Sequence, residues 1–234
     1  PTGICTAPRA GAMLDFLFPA ECRLCGCVLP RGSRCLCPLC SAGLQRTGYH
    51  RDPDNALAMR LAGRITFERA TGHFLYTPEA PVAMLIHDMK YRGMYGVARE
   101  LGRIAGGELA AAGWLAGIDV LVPVPLHWMK RMRRGYNQAE ELARGVGEGS
   151  GIAVLTALRA IREHKSQTRV SRAQRAVNVR GIFRLRHPDG VAGRHILLID
   201  DVCTTGATLV AAAEALLAAA PGARLSILTI ACTV

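Results

Sequence analysis

The sequence predicts an α/β fold, a parallel sheet with helices on both faces, preceded by a small zinc knuckle with four cysteine ligands. Two apolar runs, at residues 119–125 and 196–199, predict the sheet because they do not alternate with polar residues. Strands that are buried on both faces have this pattern. Each run leads into a polar loop and then into a helix-forming stretch, as parallel α/β folds do. Paired cysteines near the start of the chain predict the knuckle.

Length and charge limit the possible functions. The chain has 234 residues, half of them hydrophobic, which is enough for one α/β domain with a small appendage. Its formal charge is +11, and fourteen Lys and Arg residues against four Glu lie between residues 126 and 186. Such a field attracts polyanions, either nucleic acid or a phosphorylated small molecule, and a solvated basic surface has the same composition. Charge alone does not choose among these.

The sequence gives no indication of a membrane span or a secretory leader. No apolar run reaches the length of a transmembrane helix. The apolar piece at residues 13–18 is interrupted by Asp15 and leads directly into cysteines. We therefore expect no signal peptide and a cytoplasmic location.

Seven of the nine cysteines precede residue 41, and four of them form two Cys-x-x-Cys pairs. Two tight turns with paired thiolates supply the four tetrahedral corners of a structural zinc site. The predicted zinc ligands are Cys22, Cys25, Cys37 and Cys40. Cys27 and Cys35 leave an alternative open, because Cys25/Cys27 and Cys35/Cys37 are Cys-x-Cys pairs. Free or disulfide-bonded thiols are the other alternative, and without secretory features we do not expect disulfides.

The stretch between the knuckle and the first long apolar run is less informative. Residues 41–64 are polar and resist assignment, whereas residues 65–77 alternate and predict a strand or a hairpin. Residues 82–112 predict a helix that breaks near 92–96. The segment 87–93 places two cations beside a tyrosine, and either a helix end with favourable charges or a role in ligand binding explains it.

The run at residues 119–125 ends in prolines, and a strongly basic segment follows it. The carboxyl end of a parallel strand faces the crevice where α/β folds bind ligands. A loop there is suited to a pyrophosphate or a similar anion, because arginine binds two phosphate oxygens at once. The cations of this loop are Lys130, Arg131, Arg133 and Arg134. A helix should begin at residues 136–138, and further strands are expected within 152–161, 181–185 and 225–233.

The run at residues 196–199 leads into the most specific motif of the chain. Two acids are followed by a loop rich in hydroxyls and then by a helix over 207–220, which Pro221 ends. Free amides at a helix start and a glycine in the loop form a cradle for phosphate. The acids can accept hydrogen bonds from vicinal hydroxyls or help hold a hydrated cation. The predicted binding loop consists of Asp200, Asp201, Val202, Cys203, Thr204, Thr205, Gly206, Ala207 and Thr208.

This loop resembles the phosphoribosyl pyrophosphate (PRPP) motif of type I phosphoribosyltransferases, and the order of motifs narrows the resemblance to the ComF family. That family comprises competence-associated, phosphoribosyltransferase-like proteins of bacteria. The resemblance lies in the paired knuckles, Lys-Tyr-Arg-Gly at 90–93, Val-Pro-Val-Pro at 122–125, Arg-Arg-Gly-Tyr-Asn-Gln at 133–138 and the loop at 200–208. The segment 167–183 is also similar, with Gln167, Arg175, Asn178, Val179, Gly181 and Phe183.

The resemblance implies a knuckle at residues 1–48 and a type I phosphoribosyltransferase-like domain at 49–234. It implies binding of PRPP with Mg²⁺ and transfer of the ribosyl phosphate to an unidentified acceptor, with no catalytic base assigned. A flexible loop at 163–178 would close over the site, so that Lys165 and Arg175 could reach the pyrophosphate.

The same resemblance associates the chain with competence and DNA uptake. The alternative function is therefore a non-enzymatic factor that handles single-stranded DNA and works with the uptake machinery while keeping the fold. The basic middle of the chain is compatible with such a partner. Trp128 and Tyr136 are the stacking candidates there.

Overall fold

The computed structural model describes residues 20–161 and 181–233 of the chain. It contains a four-stranded sheet, a separate two-stranded sheet and seven α-helices within those residues. The strands are β1 (Arg69–Leu75), β2 (Val120–Pro123), β3 (Leu158–Ala160), β4 (Phe183–Leu185), β5 (His195–Cys203) and β6 (Arg224–Cys232). The helices are α1 (Pro38–Gly43), α2 (Ala56–Leu61), α3 (Pro81–Tyr91), α4 (Tyr95–Ala111), α5 (Trp128–Arg134), α6 (Gln138–Ser150) and α7 (Ala207–Ala219).

The main sheet is parallel throughout, with the strand order β1-β6-β5-β2. Strand β5 lies inside the sheet, and its neighbour β2 ends at Pro123, opposite Ile199. Strand β5 continues for four more residues along β6, as far as Cys203 opposite Cys232. The acidic end of β5 therefore projects past the end of β2, at the carboxyl edge of the sheet.

Two hydrophobic cores cover the two faces of this sheet, as the non-alternating strands predicted. Along β5, Leu197 and Ile199 belong to the core formed with α3, α4 and α6. Ile196 and Leu198 belong to the core formed with α2, α7 and the β3–β4 pair. Because both faces are buried, the four successive residues 196–199 of β5 are all apolar. The predicted parallel sheet with helices on both faces is confirmed.

The knuckle packs onto the first of these cores and does not stand apart from the domain. Cys22, Leu36 and Leu44 are buried in the same cluster as residues of α3 and α4. The boundary predicted at residue 48 therefore separates motifs of the sequence, whereas the hydrophobic core is continuous across it. Among the described residues, no helix is long and apolar enough to cross a membrane.

Residues 65–77 contain the single strand β1, so the strand is the correct one of the two predicted alternatives; β1 pairs in parallel with β6. One prediction of local structure was wrong. The basic segment after β2 is the short helix α5 and not a loop, and Gly135 ends it in the left-handed conformation (φ 82°). The break predicted near 92–96 is confirmed, since α3 and α4 meet there. The predicted strand within 152–161 is β3, which pairs antiparallel with β4 outside the main sheet.

Candidate functional site

The two acids at the end of β5 face a lysine from a neighbouring helix. Lys90, in the last turn of α3, has its Nζ 2.9 Å from Asp201 Oδ2. The other oxygen of Asp201 accepts a hydrogen bond from the Val202 amide, and Asp200 Oδ1 accepts one from the Asp201 amide. Both carboxylates are thus held at the carboxyl edge of the sheet with a cation beside them.

The ionisation of Asp200 depends on opposing effects of its surroundings. Burial, followed by the neighbouring Asp201 carboxylate, raises the pKa of Asp200 to about 7, while Lys90 opposes the rise. A carboxyl with this pKa exchanges its proton near neutrality, so a cation placed beside the pair would favour the ionised form of both acids. Two carboxylate groups are the oxygen donors that Mg²⁺ prefers, and the pair fits a hydrated magnesium ion or a ribose diol.

The loop after β5 has the features of a phosphate cradle. Gly206 precedes α7 with φ 74°, a left-handed conformation that glycine adopts without steric cost. No side chain caps α7, so the amides of its first turn, which face the loop, have no side-chain acceptor at the cap position. Thr204 and Thr205 are exposed, and Thr208 is half-buried in the first turn. Cys203 is buried and contributes through its backbone.

Two arginines, Arg60 in α2 and Arg64 in the turn after it, contact this loop, and the sequence did not indicate them. Arg64 Nη1 donates to the Thr205 carbonyl at 2.7 Å. Arg60 donates to the carbonyl of Thr233 at 3.0 Å and lies 3.5 Å from the carbonyl of Cys203. The one local signal was Asn55, whose side chain caps α2 by accepting from the Leu57 and Ala58 amides. An asparagine in a turn predicts a helix start, but it does not predict what that helix approaches.

Four of the six predicted anion-binding cations lie on α5, and some of these four already have hydrogen-bond or ion-pair partners. Arg134 donates to Gln138 at 3.0 Å and stacks over the ring of Tyr91, with 5.6 Å from the guanidinium carbon to the ring centre. Arg131 lies 3.7 Å from a carboxylate oxygen of Glu140. Arg133 is exposed, and Lys130 is half-buried. Lys165 and Arg175, and the loop predicted at 163–178, lie outside the described residues.

The Arg-Gly-Tyr-Asn-Gln motif connects three elements around the acid pair. Tyr136 Oη and Gln138 Nε2 both donate to the carbonyl of Met89, one residue before the lysine that faces Asp201. Asn137 caps α6 through the Ala139 amide and donates to the carbonyl of Val124, just past β2. The motif therefore fixes the last turn of α3 against β2 and α6.

This arrangement changes the assignment of the stacking residues. Tyr136 is half-buried with its hydroxyl bonded, and burial raises its pKa, so its ring is not an open platform. Trp128 is 60% exposed, as a stacking residue requires, and Tyr91 is 63% exposed although the sequence analysis did not assign it a stacking role.

The four predicted zinc ligands converge. The sulfur atoms of Cys22, Cys25, Cys37 and Cys40 all lie within 4.8 Å of one another. The Cys25 and Cys37 sulfurs are 3.8 Å apart, which matches the roughly 3.8 Å between sulfurs of a tetrahedron with Zn–S bonds of about 2.3 Å. Backbone amides donate to two of the sulfurs, Cys37 N to Cys22 Sγ at 3.3 Å and Cys40 N to Cys37 Sγ at 3.4 Å.

The ionisation of these thiols fits a cation at their centre. Burial opposes ionisation of Cys22, but amide hydrogen bonds from Cys25 and Cys37 outweigh it and lower its pKa to about 6. The hydrogen bond to Cys25, then burial and the neighbouring sulfurs, raise the pKa of Cys40. Four thiolates this close repel one another unless a cation neutralises them, which is the chemistry of a structural zinc site.

The structure also decides between the alternative ligands. Cys27 is exposed and does not belong to the converging four. Cys35 is disulfide-bonded, which removes it from the ligand set. The expectation that these cysteines form no disulfide is therefore wrong for Cys35.

The parallel sheet, the acid pair at its carboxyl edge and the uncapped phosphate loop define a phosphoribosyltransferase-like protein. The sequence profile of the phosphoribosyl transferase domain matches residues 119–233, from the start of β2 to the end of β6. That range contains both the loop and the acids.

The relatives extend the likeness beyond this range and identify the family. The chain is 30% identical to the DNA utilization protein YhgH of Escherichia coli O157:H7, over 80% of each chain. It is 29% identical to competence protein F of Haemophilus influenzae over 59% of this chain and 61% of that protein. The chain belongs to the ComF family. The alignment with the Salmonella typhi relative, 34% identical, covers 61% of this chain and 63% of that protein.

Among solved structures, the match to an allosteric regulatory enzyme of purine biosynthesis has a TM-score of 0.39 at 20% identity. It covers 57% of this chain and 26% of that enzyme.

Proposed function

We propose that this protein binds PRPP together with Mg²⁺ and transfers its ribosyl phosphate to an acceptor. The observation that carries the proposal is the placement of an uncapped helix start and an acid pair at opposite ends of one loop. A 5-phosphate fits the helix end, where amides point outward and the helix dipole is positive. The diol of the ribose fits the carboxylates, because an ionised carboxylate accepts hydrogen bonds and cannot donate them.

Each part of PRPP would be held by a different group of residues. Gly206 and the amides of the first turn of α7 would hold the 5-phosphate, with the hydroxyls of Thr204 and Thr205 beside it. Asp200 and Asp201 would hold the ribose hydroxyls and the hydrated Mg²⁺. Lys90 limits the repulsion between these carboxylates and the anionic ligand.

The pyrophosphate would be held by the cations predicted on α5, Lys130, Arg131, Arg133 and Arg134, together with Lys165 and Arg175. No side chain among the described residues is assigned as a base for the acceptor, so the acceptor remains outside the proposal. The predicted boundaries, 1–48 and 49–234, also remain predictions.

The proposal is tested by titrating the protein with PRPP and Mg²⁺ in a calorimeter. We expect saturable binding that Asp201→Asn and Thr205→Ala each weaken at least about tenfold, since each removes a charge-assisted or direct hydrogen bond to the ligand. Asp189→Asn is the matched control, because this acid is exposed in the turn Pro188–Gly190 and should leave the affinity unchanged. Absence of binding by the wild type, or binding by both loop variants that is as tight as that of the wild type, contradicts the proposal.

A second function, binding of single-stranded DNA, is favoured by one surface. Trp128 and Tyr91 expose part of their rings, Trp128 begins the arginine-bearing helix α5, and Arg134 of that helix lies over the Tyr91 ring. We call this the basic aromatic surface, made of Tyr91, Trp128, Arg131, Arg133 and Arg134. Aromatic faces interleaved with cations are how proteins bind single strands without sequence preference. The names of the relatives, which refer to DNA utilization and competence, support a role with the DNA-uptake machinery.

For this surface, fluorescence anisotropy with a labelled oligothymidine should show binding that weakens steeply with salt. We expect Trp128→Ala to cost about 1–3 kcal/mol of binding free energy, as the loss of one stacked base does. Arg133→Ala should reduce the salt slope by about 0.7, the value for one phosphate contact on a single strand. Arg194→Ala is the control, because this exposed arginine precedes β5 at the opposite edge of the sheet. Salt-independent binding, or equal losses in all three variants, would reject the surface.

A further inference from the structure

The zinc knuckle contacts α3 through a buried ion pair. Arg23 lies between the ligands Cys22 and Cys25, and its Nη2 donates to Asp88 Oδ2 at 2.7 Å. The Asp88 side chain is only 1% exposed, and its other oxygen lies 3.3 Å from Arg92 Nη1. A carboxylate this deep depends on its cations, because losing a partner leaves an uncompensated buried charge.

The residues that follow Asp88 on α3 serve the acid pair. The carbonyl of Met89 accepts from Tyr136 and Gln138, and Lys90 Nζ faces Asp201. Three consecutive residues of one helix turn thus meet the knuckle, the Arg-Gly-Tyr-Asn-Gln motif and the acids. A shift of this turn moves Lys90 relative to Asp201.

Part of the seam between the knuckle and α3 is open near the metal ligands. A cavity of about 820 Å³ is lined by Leu39 and Cys40 on the knuckle side and by Met84 and His87 on α3. The Arg23–Asp88 pair joins the knuckle to α3 beside this opening and, with the apolar contacts of the knuckle, orients α3 relative to the metal ligands.

We propose that the zinc knuckle positions Lys90 at the acid pair through the Arg23–Asp88 ion pair. Zinc in the knuckle and PRPP at the loop are then coupled, and each raises the affinity for the other by the same factor. Arg23 and Asp88 act as positioning residues, since neither touches the acid pair itself. The inference rests on the proposed PRPP site and adds to it what controls the lysine.

The test compares two arginines of the same knuckle. Arg23→Ala removes the pair to α3, whereas Arg34→Ala, the matched control, removes an exposed pair to Glu148 on α6 (2.7 Å). We expect Arg23→Ala to weaken PRPP binding in the calorimeter about tenfold, within the usual range of coupling between sites, and Arg34→Ala to leave it unchanged. Arg23→Lys should restore part of the affinity, because a point charge still reaches the carboxylate.

Two further measurements separate positioning from simple loss of the knuckle. Asp88→Asn leaves every knuckle residue in place and should weaken PRPP binding like Arg23→Ala, while zinc analysis shows the metal retained. Hydrogen exchange of the α3 amides, measured without ligand, should accelerate in the last turn of the helix in both variants.

The outcomes distinguish this inference from the proposed function. If wild type binds PRPP and Lys90→Ala does not, but Arg23→Ala and Asp88→Asn bind like wild type, the coupling is wrong and the proposed function stands. If wild type does not bind PRPP, the proposed function fails together with the coupling, and the exchange measurement decides whether the knuckle positions the last turn of α3. Unchanged exchange in Arg23→Ala then overturns the positioning, and acceleration limited to the last turn of α3 supports it.

Discussion

Cys37→Ser is expected to abolish zinc binding and to destabilise the whole chain. Cys37 is buried, its sulfur lies 3.8 Å from that of Cys25, and it accepts the Cys40 amide at the start of α1. Structural zinc in small knuckles contributes about 10–16 kcal/mol of apparent binding free energy, so loss of a ligand removes most of what orders the turn. Leu36 and Leu44 belong to the core shared with α3 and α4, so disorder of the knuckle exposes that core as well.

We therefore expect metal analysis to find one zinc per chain in the wild type and almost none in Cys37→Ser. The melting temperature should fall by roughly 10 °C, the size that a loss of about 4 kcal/mol produces in a chain of this length. Cys27→Ser is the matched control, because this exposed thiol belongs to the same knuckle but not to the converging four. Equal zinc content in both variants, or none in the wild type, would show that the four cysteines are not a zinc site.

Gly206→Ala is expected to disable the phosphate loop. With φ 74°, an added Cβ would lie 2.8 Å from Leu61 Cδ2 and 3.2 Å from Arg64 Nη1, which supports the loop through Thr205. The left-handed conformation alone costs an L-residue about 1–2 kcal/mol. The contacts are relieved by moving the side chain of Leu61, the side chain of Arg64 or the helix start, and a shift of Arg64 or of the helix start displaces the amides from the phosphate position. PRPP affinity should fall by about 100-fold or more, which corresponds to roughly 2.7 kcal/mol of lost binding.

The control for this change is Gly113→Ala. Gly113 has nearly the same conformation, φ 71°, and an added Cβ meets nothing within 4 Å. Both variants should lose conformational stability in denaturant unfolding, Gly206→Ala more because of its added contacts, but only Gly206→Ala should lose PRPP affinity. A comparable loss of affinity in both would mean that conformational strain anywhere lowers binding, and the loop would not be specifically involved.

The residues that could be identified from the sequence are those whose chemistry depends on neighbours in the chain. The thiols of Cys22 and Cys25 are three residues apart because a tight turn must present both to one metal. Asp200, Asp201 and Gly206 follow one strand end within seven residues, since the strand, loop and helix form one continuous unit. Local spacing was sufficient for these, and the structure brings the thiols together as predicted.

The residues that could not be identified act across the fold. Arg64 reaches Thr205 over 141 positions of sequence, and Arg23 reaches Asp88 over 65. An arginine is usually a solvated surface residue, so nothing local distinguishes these from the other cations of a basic chain. Lys90 was noted as a cation beside a tyrosine, with a helix end and a role in ligand binding both left open, and its partner Asp201 depends on how α3 packs beside β5.

The sequence by itself determined the parallel sheet, the loop after β5 and the four cysteines. Burial of a strand and the geometry of a short motif depend on residues that are neighbours in the chain, so the sequence shows them directly. Only the tertiary structure decided which cations serve the acids. It placed the predicted anion-binding residues on a helix with partners of its own for Arg131 and Arg134, and it brought Lys90 to Asp201. The attraction between two charges depends on their distance in space. The packing of α3 between the knuckle and the sheet sets the distance from Lys90 to Asp201, and the separation of these residues along the chain does not.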